Sequence, residues 1–231
     1  MPEKWIVSTP NNVTSVRAIA TGDGDTIPVP KGFYYVGGNL NTGVIISDEK
    51  DDEYDEKIDK TTYEYTTNLK GNQFVWIPCE VNNYRKTDWG VKNADYDTTT
   101  PDSELKKIEK YEGFYVGRYE AGLASEIKES TKQEKSTGTK TKYNDNEPDR
   151  ELLTTGASSK TEKYHIFDIA GNLWELTDET SYYENNGQYC VVRGGAFNDP
   201  STVCCASHRI GTFNKKETDF STGFRTVLYI K

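Results

Sequence analysis

The chain has 231 residues, a formal net charge of −9 at pH 7 and a pI near 4.9, which suits one large domain or two small ones and disfavours a nucleic-acid backbone as partner. No run approaches the roughly 18 apolar residues of a membrane-crossing helix, and no G-x-x-x-x-G-K-[ST] or G-x-G-x-x-G supports nucleotide binding. Leu, Ile, Val and Phe make up only about 19% of the chain, but 16 Tyr, 8 Phe and 4 Trp point to a folded, aromatic-cored, loop-rich domain carrying polar insertions.

The first 24 residues are polar and close on the turn-rich run Thr21-Gly22-Asp23-Gly24-Asp25. They read as an N-terminal extension, either a linker or a short edge strand with its loop. Met1-Pro2-Glu3-Lys4-Trp5 lacks the apolar core of a signal peptide. Residues 27–38, aromatic and β-branched between Pro and Gly, predict one strand, and residues 43–47 a second. Residues 48–60 hold eight acidic side chains and three lysines. Without the central glycine of a calcium loop, that run reads as a solvated loop.

Residues 72–78 are strongly β-forming. Residues 103–111 predict a short helix, with Leu105 and Ile108 on one face. Residues 113–120 alternate again as a strand. A polar insertion spans about 123–160, with Lys, Glu, Ser and Thr dominating its centre. The C-terminal third carries Ile166 to Leu176, then a strand over 189–195 ending in Gly194-Gly195, then a final alternating strand over 223–230. Many short strands, long connections and about two short helices define an α+β class with a dominant antiparallel component. The expected organisation is an extension over 1–24 and one domain over 25–231.

Three linked motifs carry a resemblance. Asp168-Ile169-Ala170-Gly171-Asn172-Leu173-Trp174-Glu175-Leu176, Val192-Arg193-Gly194-Gly195-Ala196-Phe197 and Gly223-Phe224-Arg225 stand in that order. Together they resemble the D-x-x-G-N-V-W-E-W, R-G-G-S-[WYF] and G-F-R signature of the formylglycine-generating-enzyme-like branch of the C-type lectin fold. The earlier strands, Phe33 to Gly38 and Phe114 to Glu120, are similar to that family's G-x-F-x-M-G and Y-E-V-T segments. The residues themselves agree with such a scaffold. Gly171-Asn172 suits a turn needing positive φ. Trp174 buries a large ring. Glu175, in an apolar strip, needs a partner, either Arg193 or Arg225. Gly194 and Gly195 allow another backbone to approach. Trp174, Glu175, Arg193, Gly194, Gly195 and Arg225 are therefore expected to hold the scaffold.

The branch hosts several functions, so the site must decide among them. Copper-dependent formylglycine formation needs two thiolates for a soft Cu(I) ion. The resemblance places the first at Asp199, which is no thiolate, and the second near Cys204. Cys204-Cys205 is a poor substitute, because neighbouring strand side chains point to opposite faces. The non-haem iron chemistry of the sulfoxide synthases needs a histidine triad, and the chain has only His165 and His208. Glu147-Pro148-Asp149 and Phe197-Asn198-Asp199 superficially match the sugar-binding triplets of true C-type lectins, but lie about 50 residues apart. The resemblance also implies a calcium site at the G-N-x-W-E turn, with Glu175 and backbone oxygens as ligands.

Binding without catalysis is what the resemblance best supports. Phage receptor-binding proteins and the variable proteins of diversity-generating retroelements share this branch, and they display contact residues between the W-E and G-F-R motifs. In this chain that interval is rich in Tyr, Phe, Asn, Ser and Asp, and it holds three of the four cysteines. Tyr and Phe give rigid contact area while Ser and Asn give adaptable hydrogen bonds. The expected contact residues are Tyr182, Tyr183, Phe197, Asn198, Asp199, Cys204, Cys205, His208 and Phe213. The expected protein is a non-enzymatic receptor-binding module with no required cofactor. It would recognise a protein or glycan on a cell surface, from a phage tail or a bacterial surface. The alternative is a copper oxidase of the formylglycine-generating type or another metal-dependent enzyme of this fold.

Overall fold

A computed structural model of the chain describes residues 16–21, 25–49, 71–84, 89–90, 102–121, 155–156, 162–183, 187–197, 199, 205–213 and 221–230. The described residues fall into two compact units. The first draws on the chain up to Tyr84, the stretch ending at Arg118 and the segment from Val227; the second on Trp89-Gly90 and on Tyr119–Thr226.

In the first unit, β1 (Val16–Ala20) and β2 (Thr26–Pro30) pair as an antiparallel hairpin. The described part of the 1–24 segment is therefore a strand, closed by the Thr21 N–H donating to Asp25 O at 2.7 Å. The strand expected over 27–38 is two strands. The chain breaks at Lys31-Gly32, where Gly32 takes φ +88 and the Phe33 N–H returns to Pro30 O. A second sheet has the order β12-β7-β5-β4-β3 and is antiparallel throughout. Its strands are β3 (Tyr34–Gly37), β4 (Val44–Ser47), β5 (Gln73–Pro78), β7 (Gly113–Gly117) and β12 (Val227–Leu228).

β4 is buried along its whole length, which explains its uninterrupted Val-Ile-Ile run. The helix α1 (Asp102–Tyr111) lies where the sequence predicts it. It buries Ile108 and Tyr111 and stops where Glu112 turns left-handed at φ 60. The Glu112 N–H still reaches Ile108 O, as at many helix ends. The core gathers Ile27, Val29, Val44, Ile46, Phe74, Trp76, Tyr111, Tyr115 and Ile230. Tyr115 is fully buried, and its hydroxyl donates to Pro28 O at 3.0 Å.

The second unit holds a sheet of order β10-β9-β8-β11. β8 (Trp174–Tyr183) and β9 (Gly187–Arg193) form an antiparallel hairpin, and β10 (Arg209–Phe213) continues it. The other edge of β8 is shared by two short parallel strands. β11 (Thr222–Phe224) pairs at the Trp174 end and β6 (Trp89–Gly90) at the Ser181-Tyr182 end.

The final strand expected over 223–230 is also two strands. β11 belongs to the second unit and β12 to the first, with the break at Arg225-Thr226. Mainly antiparallel strands with a helix agree with the expected class. The expected two or so short helices are one α-helix and a single 3₁₀ turn, Val81–Asn83, among the described residues. Most of the 123–160 insertion and of the acidic 48–60 run lies outside the described residues.

Candidate functional site

The conspicuous polar constellation of the second unit surrounds the Gly171-Asn172 turn. Asp168, Gly171 and Asn172 all have positive φ, at 55, 86 and 62°. Such a run of left-handed backbone persists only when its surroundings fix it. Two main-chain bonds clasp it to the Gly194-Gly195 turn: the Gly171 N–H donates to Gly194 O at 2.9 Å and the Phe197 N–H to Asn172 O at 2.8 Å. At Gly194, φ is +94, which favours glycine, and an added Cβ would lie a tight 3.2 Å from Ile169 O.

Three carboxylates and one arginine fix the rest. Glu120, 2% exposed, accepts from Asn172 Nδ2 and from the Leu173 N–H. Asp168 accepts from Thr155 Oγ1 at 3.1 Å and from the Gly156 N–H at 2.7 Å, and Thr155 Oγ1 in turn accepts the Glu120 N–H. Arg225 donates through Nε and Nη2 to Glu175 Oε1, and through Nη2 to Phe167 O at 2.7 Å. Burial pushes the Glu120 carboxyl well above the ordinary range; the neighbouring Glu175 and Asp168 add to the rise, and Arg225 and Asn172 oppose it.

Of the two partners the sequence offers Glu175, the structure selects Arg225. Arg193 instead makes a forked pair with Glu179, at 2.8 and 2.9 Å from Nη2 to its two oxygens. Glu179 and Glu120 are the polar residues whose roles the sequence reading did not assign.

A calcium ion at the turn would have to compete with an existing ion pair. Glu175 already faces the guanidinium of Arg225, and a divalent ion beside it would meet a like charge at short range. Ca²⁺ needs about six to eight oxygen donors, and here both Glu120 oxygens and Asp168 Oδ2 already accept amide and hydroxyl donors. Among the described residues no group of three or more His, Cys, Asp or Glu is placed to hold a metal.

The expected contact residues fall into two groups. Tyr182 and Tyr183 end β8, opposite Gln188 and Gly187, and Phe213 ends β10, opposite Cys190. Tyr182 and Tyr183 therefore sit at the hairpin-tip end of the sheet, and Phe213 lies level with the middle of β9. Phe197, Asp199, Cys205 and His208 lie at the Trp174 end. Between Glu175 and Tyr183 the strand rises about 25 Å, so the nine positions do not form one patch. Phe197 packs on the Trp174, Val192 and Ala196 cluster, and the His208 ring lies 5.6 Å from the Trp174 ring. Asp199 closes a turn: its Oδ2 accepts the Ala196 N–H at 2.9 Å, and its own N–H donates to Ala196 O at 3.0 Å. Cys205 is exposed, with its thiol lowered chiefly by the Ser207 hydroxyl. Asn198 and Cys204 lie outside the described residues. Cys79, Cys190 and Cys205 are free thiols.

Comparison with known families places this geometry. The model of the Sulfatase-modifying factor enzyme 1-like domain matches residues 110–230, just over half of the chain. The chain belongs to that family, whose fold is C-type lectin-like. This is a fold of enzymes and of non-enzymatic proteins alike. The match runs from the end of α1 through β12 and takes in all three motifs. Comparisons with curated proteins and with solved structures give no match. Among the described residues no helix is long and apolar enough to cross a membrane.

Proposed function

We propose that the chain is a non-enzymatic ligand-binding protein, a C-type lectin-type scaffold that presents contact side chains to a protein or glycan receptor on a cell surface. The contact set is Tyr182, Tyr183, Phe197, Asn198, Asp199, Cys204, Cys205, His208 and Phe213, diversified by a retroelement and carried on a phage tail or a bacterial surface. What carries the reading is a division within one sheet. The Trp174 end is locked by buried carboxylates, the Arg225–Glu175 pair and two interlocking turns. Further along the sheet, β8 carries Tyr182 and Tyr183 opposite Gln188 and Gly187, and β10 ends at Phe213 opposite Cys190. A rigid base under aromatic tips is what a binding surface needs, because little entropy is lost on contact.

Asp199 weighs against the oxidase alternative. It stands where that chemistry needs its first thiolate, and its carboxylate is committed to the Ala196 N–H. A turn-closing carboxylate is a hard ligand and a poor partner for Cu(I).

The test is binding of the purified chain to glycan arrays and to bacterial cells. Saturable binding lost in the Tyr182→Ala/Tyr183→Ala/Phe213→Ala variant, with its melting temperature unchanged, supports the reading. Copper-dependent oxidation of a cysteine peptide that disappears in Cys204→Ser overturns it.

A further inference from the structure

Among the described residues β10 stands at the edge of its sheet, and its ladder to β9 shifts between Ile210 and Phe213. A strand held by so few main-chain bonds opens more easily than the sheet beneath it. Two buried side chains of β8 reach it directly. Ser181 donates through Oγ to Gly211 O, inside the stretch where the ladder shifts. Glu179 Oε2 accepts from Arg193 Nη2 at 2.9 Å and Nε at 3.2 Å, and lies 3.9 Å from Arg209 Nη1. Glu179 and Ser181 are two residues apart on β8, and Arg209 and Gly211 two apart on β10, so the contacts form two successive rungs.

The bulge in β8 aims the first rung. Leu176 lies opposite Val192 and Thr180 opposite Cys190, so three β8 residues face Val191 alone. In an unbroken ladder Glu179 would lie opposite Tyr189, four residues or about 13 Å from Arg193. The bulge moves it level with Val191 and within diagonal reach of Arg193. Thr177 fills the bulge: its Oγ1 donates to Val191 O at 2.9 Å and accepts the Glu179 N–H at 3.2 Å.

The same rung meets a charge conflict. Arg193 and Arg209 are direct partners across β9 and β10, and like charges placed so repel. One carboxylate oxygen faces both guanidinium groups.

We propose that Glu179 and Ser181 are positioning residues, a latch that holds β10, and with it the Phe213 position, against the rigid part of the sheet. The consequence for Phe213 as a contact residue rests on the display reading; the latch itself does not.

The test is amide hydrogen exchange by NMR on the full chain, which needs no receptor. Exchange at Ile210, Gly211 and Phe213 is compared with exchange at Gly171 and Trp174, whose N–H groups bond to Gly194 O and Ser221 O. Glu179→Gln is expected to speed the β10 amides by at least about tenfold and the reference amides by less than about twofold. Ser181→Ala, which leaves every charge in place, is expected to speed the β10 amides selectively as well. Adding Arg209→Gln to Glu179→Gln removes the repulsion and should slow β10 exchange again. The proposal is overturned if β10 and reference amides accelerate together, if neither single variant accelerates β10, or if the double variant exchanges as fast as Glu179→Gln. Failure of the chain to bind any receptor, with the selective exchange intact, would overturn the display reading alone.

Discussion

Glu120 and Asn172, 52 residues apart in the chain, are joined by a buried hydrogen bond from the Asn172 amide to the Glu120 carboxylate. The same carboxylate accepts the next main-chain N–H, that of Leu173, at 3.2 Å. One side chain thus holds the left-handed residue of the G-N turn and the entry to β8. A positive φ on a non-glycine residue is costly alone, and this pair offsets that cost.

Glu120→Ala leaves both donors buried and unmatched. The expected loss is about 2–4 kcal/mol, read as a lower urea midpoint with an unchanged slope. A loss below about 0.5 kcal/mol would show that the turn holds itself.

The raised Glu120 carboxyl makes stability depend on pH. The folded chain binds this proton more tightly than the unfolded one. Its contribution is fully present below the unfolded carboxyl value of about 4.3 and is lost as pH rises through the folded value. Urea midpoints of wild type should fall across that window relative to those of Glu120→Gln, which has no proton to lose there. Parallel pH profiles for the two proteins would refute this assignment.

Arg225→Lys keeps the charge but loses the fork that reaches Glu175 and the Phe167 carbonyl together. The Arg225 side chain is 4% exposed and that of Glu175 14%, so water cannot replace the missing bonds cheaply. We expect a destabilisation of about 2–3 kcal/mol for Arg225→Lys and about 3–5 kcal/mol for Arg225→Ala. Arg193→Lys, at a more exposed pair with Glu179, should cost less, and a thermal melt series orders the three.

Tyr164 and His165 both have positive φ, 57 and 60°, in a two-residue turn whose flanks Lys163 and Ile166 exchange main-chain bonds at 2.8 and 2.9 Å. Turns of this shape favour glycine at the second position. His165→Gly removes the strain and gives up a partly exposed contact with Glu162. A gain of about 0.5 kcal/mol is expected, seen as a higher melting temperature.

The three C-terminal motifs were legible because their glycines, tryptophan and charges are local and ordered. The partner of Glu175 was not. In register Arg193 lies directly across from Glu175 on β9, and Gly223, two residues before Arg225, lies beside it on β11. The pairing shifts between Leu176 and Thr180, and Arg193 bonds Glu179, within that irregular stretch. Nothing in a string of letters marks such a bulge.

The two strand breaks were hidden for a similar reason. β-Forming residues stand on both sides of Lys31-Gly32 and of Arg225-Thr226. The first break is set by backbone conformation, the second by a side chain committed to a distant carboxylate. Glu120 stood at the end of a legible strand, but its role depends on a turn 52 residues away.

The display account is tested most directly by sequencing this coding region across the source population, together with a search for a nearby near-identical repeat. The account predicts adenine-specific substitutions concentrated in the codons between Trp174 and Phe224, with Tyr182, Tyr183 and Phe213 among the changing positions and Asn172, Glu175 and Arg225 constant. Invariant codons at 182, 183 and 213 would contradict a diversified binding surface.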